Sequence, residues 1–206
     1  MQAGSIAYEH LDAVVNTLHE AFIDYPVMRY VLGDESTDFE IRHARLVRLF
    51  VMGRVLNGDP LFGIGEPDAP LAVATVTLPG PSPNPPELAE YRAREWACLG
   101  PEAQARYDAF CDACAHFDVD EPHHHLNMLG VRRGHQGQGL GRMLVDHVIG
   151  LARQHAGSAG VSLSTENPAN LPFYRALGFE LTGHAEVGPG LETWNFFRPA
   201  GDDSSR

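Results

Sequence analysis

Leu126 to Ala152 reads LNMLGVRRGHQGQGLGRMLVDHVIGLA. A short apolar strand runs into a glycine-rich turn, and the turn opens directly onto an amphipathic helix. The turn holds Gln136, Gly137, Gln138, Gly139, Leu140 and Gly141, a Q-x-x-G-x-G pattern. Glycines let such a backbone approach a ligand closely and take up positive φ. The first turn of the helix then offers unpaired N–H groups and a positive dipole end to an anion. Together they predict a pyrophosphate cradle. The dinucleotide fingerprint does not fit, because the glycines fall as Gly137-x-Gly139-x-Gly141 and not as G-x-G-x-x-G. No lysine follows them, which removes the P-loop as well.

A second block lies downstream. NPANLPFYRALGFE, from Asn167 to Glu180, carries two asparagines, an aromatic pair and a closing Gly-Phe. VRRGHQGQGLGRML resembles motif A of the GCN5-related N-acetyltransferases (GNAT), and the second block resembles their motif B. HHHLNMLGV, NLPFY, LGFELT and VGPGLETW, with AFIDYPVMRYVL near the N-terminus, are similar to the branch that includes puromycin N-acetyltransferase. The likeness is strongest from His123 to Trp194. It implies one α/β domain over residues 1–200. Its mixed, twisted sheet of six to seven strands would be splayed between the fourth and fifth and flanked by helices. It also implies acetyl-CoA as cosubstrate, with the pantetheine arm entering the splayed gap.

Composition bounds the answer. The chain has 206 residues, 44% of them hydrophobic, which suits one folded domain. No apolar run approaches the ~18 residues of a membrane span, and MQAGSIAYEH has no secretory pattern. A cytoplasmic protein is expected. Fifteen Lys+Arg against 27 Asp+Glu give a net charge of −12, which argues against nucleic acid and favours a cationic amine. Arg132, Arg133, His135 and Arg142 are expected to offset that charge around the anionic coenzyme. Cys98, Cys111 and Cys114 are too few for a disulfide framework, and Cys111-x-x-Cys114 falls in a helical pattern. No metal is expected at His123-His124-His125, because successive strand residues point to opposite faces.

Periodicity places the elements. Ala7–Phe22 reads as a helix, with Leu11, Val14, Val15, Leu18 and Phe22 on one face. Asp34–Asn57 is a second helical region, and Leu61–Gly65 with Leu71–Leu78 makes a hairpin. Pro79–Pro86 is a stiff loop, and Glu87–Phe117 is helical with a break near Gly100-Pro101. His123–Val131 is a strand, Leu140–Gln154 a helix and Gly160–Ser164 a strand. Asn170–Leu177 is a short helix closed by Gly178. Phe179–Val187 and Glu192–Phe197 close a last hairpin, and residues 201–206 are a disordered tail.

Acetyl transfer to an amine needs a held donor, a neutral nucleophile, charge stabilisation and a proton for the thiolate. The backbone from Gln136 through Gly137, Gln138, Gly139, Leu140 and Gly141 to Arg142 would take the diphosphate. The main chain of Leu129, Gly130 and Val131 would pair with the pantetheine amides like an added strand. The resemblance makes Tyr174 the group facing the thioester sulfur. A phenol near pKa ~10 hydrogen-bonds a thiolate whose thiol lies near ~8.5. The resemblance also carries Asn170 over as a coenzyme contact, although Asn167 and Asn170 each suit a helix N-cap.

For the general base the sequence offers His125 and Glu166, the latter equally readable as a solvated loop acid. At His125 the chain departs from the puromycin enzymes, where a tyrosine is expected, and at Ser164, where a glutamate is expected. Asp24 and Tyr25 resemble an acceptor-site segment. The expected reaction is direct attack of a small-molecule amine through a tetrahedral intermediate, its oxyanion held by a backbone N–H near Met128 or Leu129. A protein or peptide N-terminus as acceptor, and a non-catalytic acyl-CoA sensor, remain as alternatives. The oligomeric state stays open, a homodimer included.

Overall fold

The computed structural model describes residues 1–33, 38–117 and 119–201. Seven strands form one mixed sheet in the order β1-β2-β3-β4-β5-β7-β6. The strands are β1 Gly4–Ser5, β2 Leu61–Glu66, β3 Ala69–Thr77, β4 His124–Val131, β5 Gly160–Thr165, β6 Glu180–Gly188 and β7 Leu191–Pro199. The helices are α1 Leu11–Phe22, α2 Pro26–Leu32, α3 Phe39–Leu56, α4 Pro86–Leu99, α5 Pro101–Ala115, α6 Leu140–Gln154 and α7 Leu171–Ala176. This is the GNAT architecture that the two motifs imply.

The β4–β5 pair is parallel, and every other pair is antiparallel. Side chains alternate across the sheet, so each strand feeds two cores. Leu18 of α1, Leu46 and Val47 of α3, Val73 and Met128 pack on one face. Leu144 and Val148 of α6 pack with Ile64, Ala72, Val76, Leu163 and Phe196 on the other. Gly130 sits where α1 crosses β4. A Cβ there would lie 2.9 Å from both Ala21 Cβ and Leu18 Cδ2, so only glycine lets the helix lie this close.

The splay has a visible cause. β4 pairs with β5 only at His124↔Val161, His125↔Ser162 and Leu126↔Leu163. On its other edge Thr75 pairs with Met128 but Val76 with Leu126, leaving Asn127 as a bulge. A bulge bends its strand and adds local twist. The parallel pairing therefore ends at the residue before the bulge, and β4 veers away from β5 beyond it.

Several boundaries differ from the sequence reading. The first helix begins at Leu11, because Tyr8–His10 forms a 3-10 turn. α2 was not expected; Pro26 occupies its first turn, where the missing N–H costs nothing. α3 begins at Phe39, and the expected Asp34 start lies outside the described residues. So does the tail, apart from Gly201. Among the described residues no helix is long and apolar enough to cross a membrane.

Candidate active site

Gly137 and Gly139 adopt φ +75° and +81°, a conformation that side-chain-bearing residues rarely take. A Cβ at either would meet nothing within 4 Å, so open space lies over the turn. Gly139 caps α6 and its carbonyl accepts from Met143 N–H at 3.0 Å. The N–H groups ahead of Met143 consequently lack helical acceptors. Leu140 is buried in the core and anchors the helix, whereas Gln136 to Gly139 and Arg142 are exposed. This cradle has the donors and the room that a diphosphate requires. Leu129, Gly130 and Val131 pair with Ala74, Val73 and Ala72 on one edge, and β5 does not pair with the other edge.

The expected basic cluster is partly neutralised. Arg133 bonds Asp24, and its backbone N–H donates to Glu20 at 2.9 Å. Arg132 donates to the Pro70 carbonyl at 2.9 Å and lies 3.6 Å from Glu20. Arg142 lies 3.5 Å from Asp146 on its own helix. An acidic chain thus supplies countercharges even here, and the backbone amides are left as the chief anion donors.

A cavity of about 1040 Å³ reaches from the gap between β4 and β5 to a roof of α4 and α5. His125, Met128, Leu129, Glu166, Asn170 and Tyr174 all line it. Five candidate site residues from sequence, His125, Leu129, Glu166, Asn170 and Tyr174, are therefore brought together around one space.

Glu166 is not the solvated loop acid that the sequence equally allowed; it is 7% exposed. Thr193 Oγ1 donates to its Oε1 at 2.9 Å, and its backbone N–H donates to the Tyr25 hydroxyl at 3.1 Å. Burial pushes its carboxyl up to about 7, with the Thr193 and Tyr25 hydrogen bonds opposing. Tyr25 also lies 2.8 Å from Thr165 Oγ1. Asp24 faces outward, bonded to Arg29 and Arg133, whose hydrogen bonds hold its carboxyl below the usual range. Of the AFIDYP pair, only Tyr25 belongs to the cavity wall.

Tyr174 is 7% exposed, its ring packed near Phe173, Phe179 and Phe196. Burial and then the Glu166 charge raise its pKa well above the ordinary phenol value. His125 Nδ1 lies 2.7 Å from Ser162 Oγ, and burial pushes its imidazole down to about 4. Asn170 does not cap α7 with its side chain. Its Nδ2 donates instead to Thr165 Oγ1 at 3.0 Å, while Asn167 caps the preceding 3-10 turn through Ala169 N–H. The three neighbouring histidines bond separately, His123 to the Glu121 carbonyl, His124 to Ser158 and His125 to Ser162.

Sequence reading missed the residues that close the cavity. Trp96 and Tyr107, with ring centroids 5.1 Å apart, come from α4 and α5, and Arg54 and Arg92 reach in from α3 and α4. The α4–α5 patterning is too weak to indicate which face turns inward; Ala103 is the one buried residue along α5.

Known proteins resemble this chain in sequence and in fold. Residues 81–179, which include the turn, Glu166 and Tyr174, match the model of the Acetyltransferase (GNAT) family. The chain is 32% identical over 77 residues to the peptidyl-lysine N-acetyltransferase YjaB of Salmonella typhimurium, covering 34% of this chain and 50% of that protein. It thus spans about half the length of that curated relative. A Corynebacterium glutamicum structure described as histone acetyltransferase HPA2 and related acetyltransferase superposes with TM-score 0.68 at 18% identity, covering 98% of each chain. The ribosomal-protein-alanine N-acetyltransferase of Brucella melitensis gives 0.55 at 16%, covering 97% of this chain and 99% of that one. A mosquito arylalkylamine N-acetyltransferase like 5b gives 0.55 at 16%, covering 95% and 99%. At these identities the structural likenesses establish the fold.

Proposed function

We propose that this chain, a member of the GNAT acetyltransferase family, moves the acetyl group of acetyl-CoA onto the amine of a small molecule held beneath α4 and α5. One observation carries the reading. Glu166, a buried carboxyl with a pKa near 7, shares a cavity with Tyr174 at the mouth of the β4–β5 gap. Acetyl-CoA supplies the activated acyl carbon, and the chain supplies position and protons. The amides of Gly137 to Arg142 hold the diphosphate, and the free edge of β4 around Leu129–Val131 pairs with the pantetheine arm.

An amine attacks only in its neutral form, so a base must accept a proton. A base works best with a pKa near the operating pH. Glu166 near 7 meets that condition; His125 near 4 stays neutral and accepts protons poorly. The amine nitrogen bonds the acyl carbon to give a tetrahedral intermediate, its proton passing to Glu166 directly or through water, and collapse of that intermediate breaks the C–S bond. Backbone N–H groups at Met128 or Leu129, beside the bulge, face the developing oxyanion. Tyr174 stays protonated because its pKa is raised, so it donates a hydrogen bond to the departing sulfur. A carboxylic acid near 7 then gives its proton downhill to a thiolate whose thiol lies near ~8.5.

The roof favours a small acceptor over a folded protein. Trp96 of α4 with Tyr107 and Phe110 of α5 line the cavity, and Glu95, 7% exposed, ties α4 to α3 through Arg45 at 2.7 Å. The test is thiol release from acetyl-CoA across a panel of amines. Background is low, because all 15 Lys+Arg are arginine and the chain offers no lysine to acetylate. Release that depends on a small amine and falls in Glu166→Gln and Tyr174→Phe supports the reading. Release only with peptide amines would transfer the function to the protein-acetylating alternative.

A further inference from the structure

We infer that Arg54 and Arg92 form an anion-recognising subsite, so that the acceptor is an elongated amine carrying a carboxylate or phosphate at the end remote from its nitrogen. This rests on the acetyl-transfer reading and names the substrate class for that same cavity.

Both guanidiniums come from the helical wall, Arg54 from the last turn of α3 and Arg92 from α4, and both residues line the cavity. Arg92 Nη2 lies 3.8 Å from a Cβ built on Gly53, placing it beside the turn that carries Arg54. Arg54 donates to Thr77 Oγ1 at 2.5 Å and lies 3.5 Å from Asp59 Oδ2. Arg92 has no hydrogen bond or ion pair with any described residue. Asp59 thus pairs with Arg54 alone; burial lowers the Arg54 pKa, and the neighbouring Arg92 charge adds to the fall while Asp59 opposes it. An unpaired charge facing a partly desolvated cavity is costly unless a ligand neutralises it. The chain carries 27 acids against 15 bases, so a local surplus of positive charge runs against its overall composition. Asp108 and Asp112 also line the cavity, but from the exposed face of α5, and neither forms an ion pair with these arginines.

Register gives the spacing. Thr77, which anchors Arg54, pairs with His125, and His125 pairs with Ser162. Thr77 and Ser162 are thus two strand spacings apart, about 10 Å. Glu166 lies four residues beyond Ser162, about 13 Å along the sheet. An α-amino acid is far too short to touch both ends. A planar guanidinium pair suits carboxylate and phosphate alike.

The test uses long-chain primary amines of equal length ending in a carboxylate, a phosphate monoester or a neutral carboxamide. Acetyl transfer and calorimetric binding to the CoA-saturated protein are measured for wild type, Arg92→Gln and Arg54→Lys. The charged members should exceed the carboxamide by roughly 10- to 100-fold in kcat/KM and in affinity. Arg92→Gln should bring that ratio to within about threefold, with acetyl-CoA affinity as in wild type. The carboxylate and phosphate arms identify which anion is preferred. Equal handling of acid and carboxamide by wild type, an undiminished ratio in Arg92→Gln, or a change confined to acetyl-CoA affinity would each overturn the subsite. Failure of every amine to be acetylated, with acid binding still dependent on Arg92, would sink the acetyl-transfer reading and leave the subsite standing.

Discussion

Thr193 Oγ1 donates to Glu166 Oε1 over 2.9 Å between two side chains that are 0% and 7% exposed. That bond stabilises the ionised carboxylate, while burial opposes it, and the balance sets Glu166 near 7.

The kinetic consequence is an acid limb. With Glu166 as base, kcat/KM rises with pH through about 7. Thr193→Val removes a bond to the charged form and should move the limb upward by about one pH unit. Glu166→Gln should lower kcat/KM by roughly 10²- to 10³-fold and erase the limb. An unchanged profile in Glu166→Gln would remove this residue from proton transfer.

The same group marks stability. Its folded pKa lies above its unfolded one, so its contribution is fully present below about 4.5 and is lost as pH rises through about 7. Above that range the ionised, buried carboxylate costs ~3 kcal/mol. Glu166→Gln should therefore melt several degrees higher than wild type at pH 8. At pH 4 the two should nearly coincide. Equal melting temperatures at both pH values would contradict the burial argument.

Tyr174→Phe keeps the ring contacts with Phe179 and Phe196 and removes only a hydroxyl that no described residue bonds. Stability should change by less than ~1 kcal/mol, whereas kcat should fall by ~10²-fold or more. Acetyl-CoA affinity from calorimetry should hold. A kcat near wild type would remove Tyr174 from the reaction.

Much of this site was legible because its signals are local. Positive φ at Gly137 and Gly139, the strand before them and the apolar stripe of α6 all lie within one short stretch. Burial alternates along the whole of β4, so the register shift at Asn127 leaves no mark in hydropathy. Glu166 remained ambiguous for a different reason. Its burial is made by Tyr25 and Thr193, which are 141 and 27 residues away in sequence. Arg54 and Arg92 were invisible for the same reason, being brought together by packing between α3 and α4. Only the capping reading of Asn170 fails, because its side chain turns to Thr165 instead of the helix amides.

Two glycines separate conformation from crowding. Gly139 at φ +81° resists any side chain, and Gly139→Ala should cost ~1–2 kcal/mol and weaken acetyl-CoA binding as the amides reorient. Gly141 lies inside α6, and a Cβ there meets Val131, Phe173 and Leu129 at ordinary contact of 3.7–3.9 Å. Gly141→Ala should be neutral or stabilise by up to ~1 kcal/mol. Thermal melts of the two variants should therefore shift in opposite directions, or Gly141→Ala not at all.

A crystal structure with CoA bound tests the central claim most directly. The diphosphate should rest on the amides from Gly137 to Arg142, the pantetheine arm should pair with β4 beyond Asn127, and the sulfur should lie within hydrogen-bonding distance of the Tyr174 hydroxyl. A coenzyme bound elsewhere, or a sulfur directed away from Tyr174 and Glu166, would contradict it.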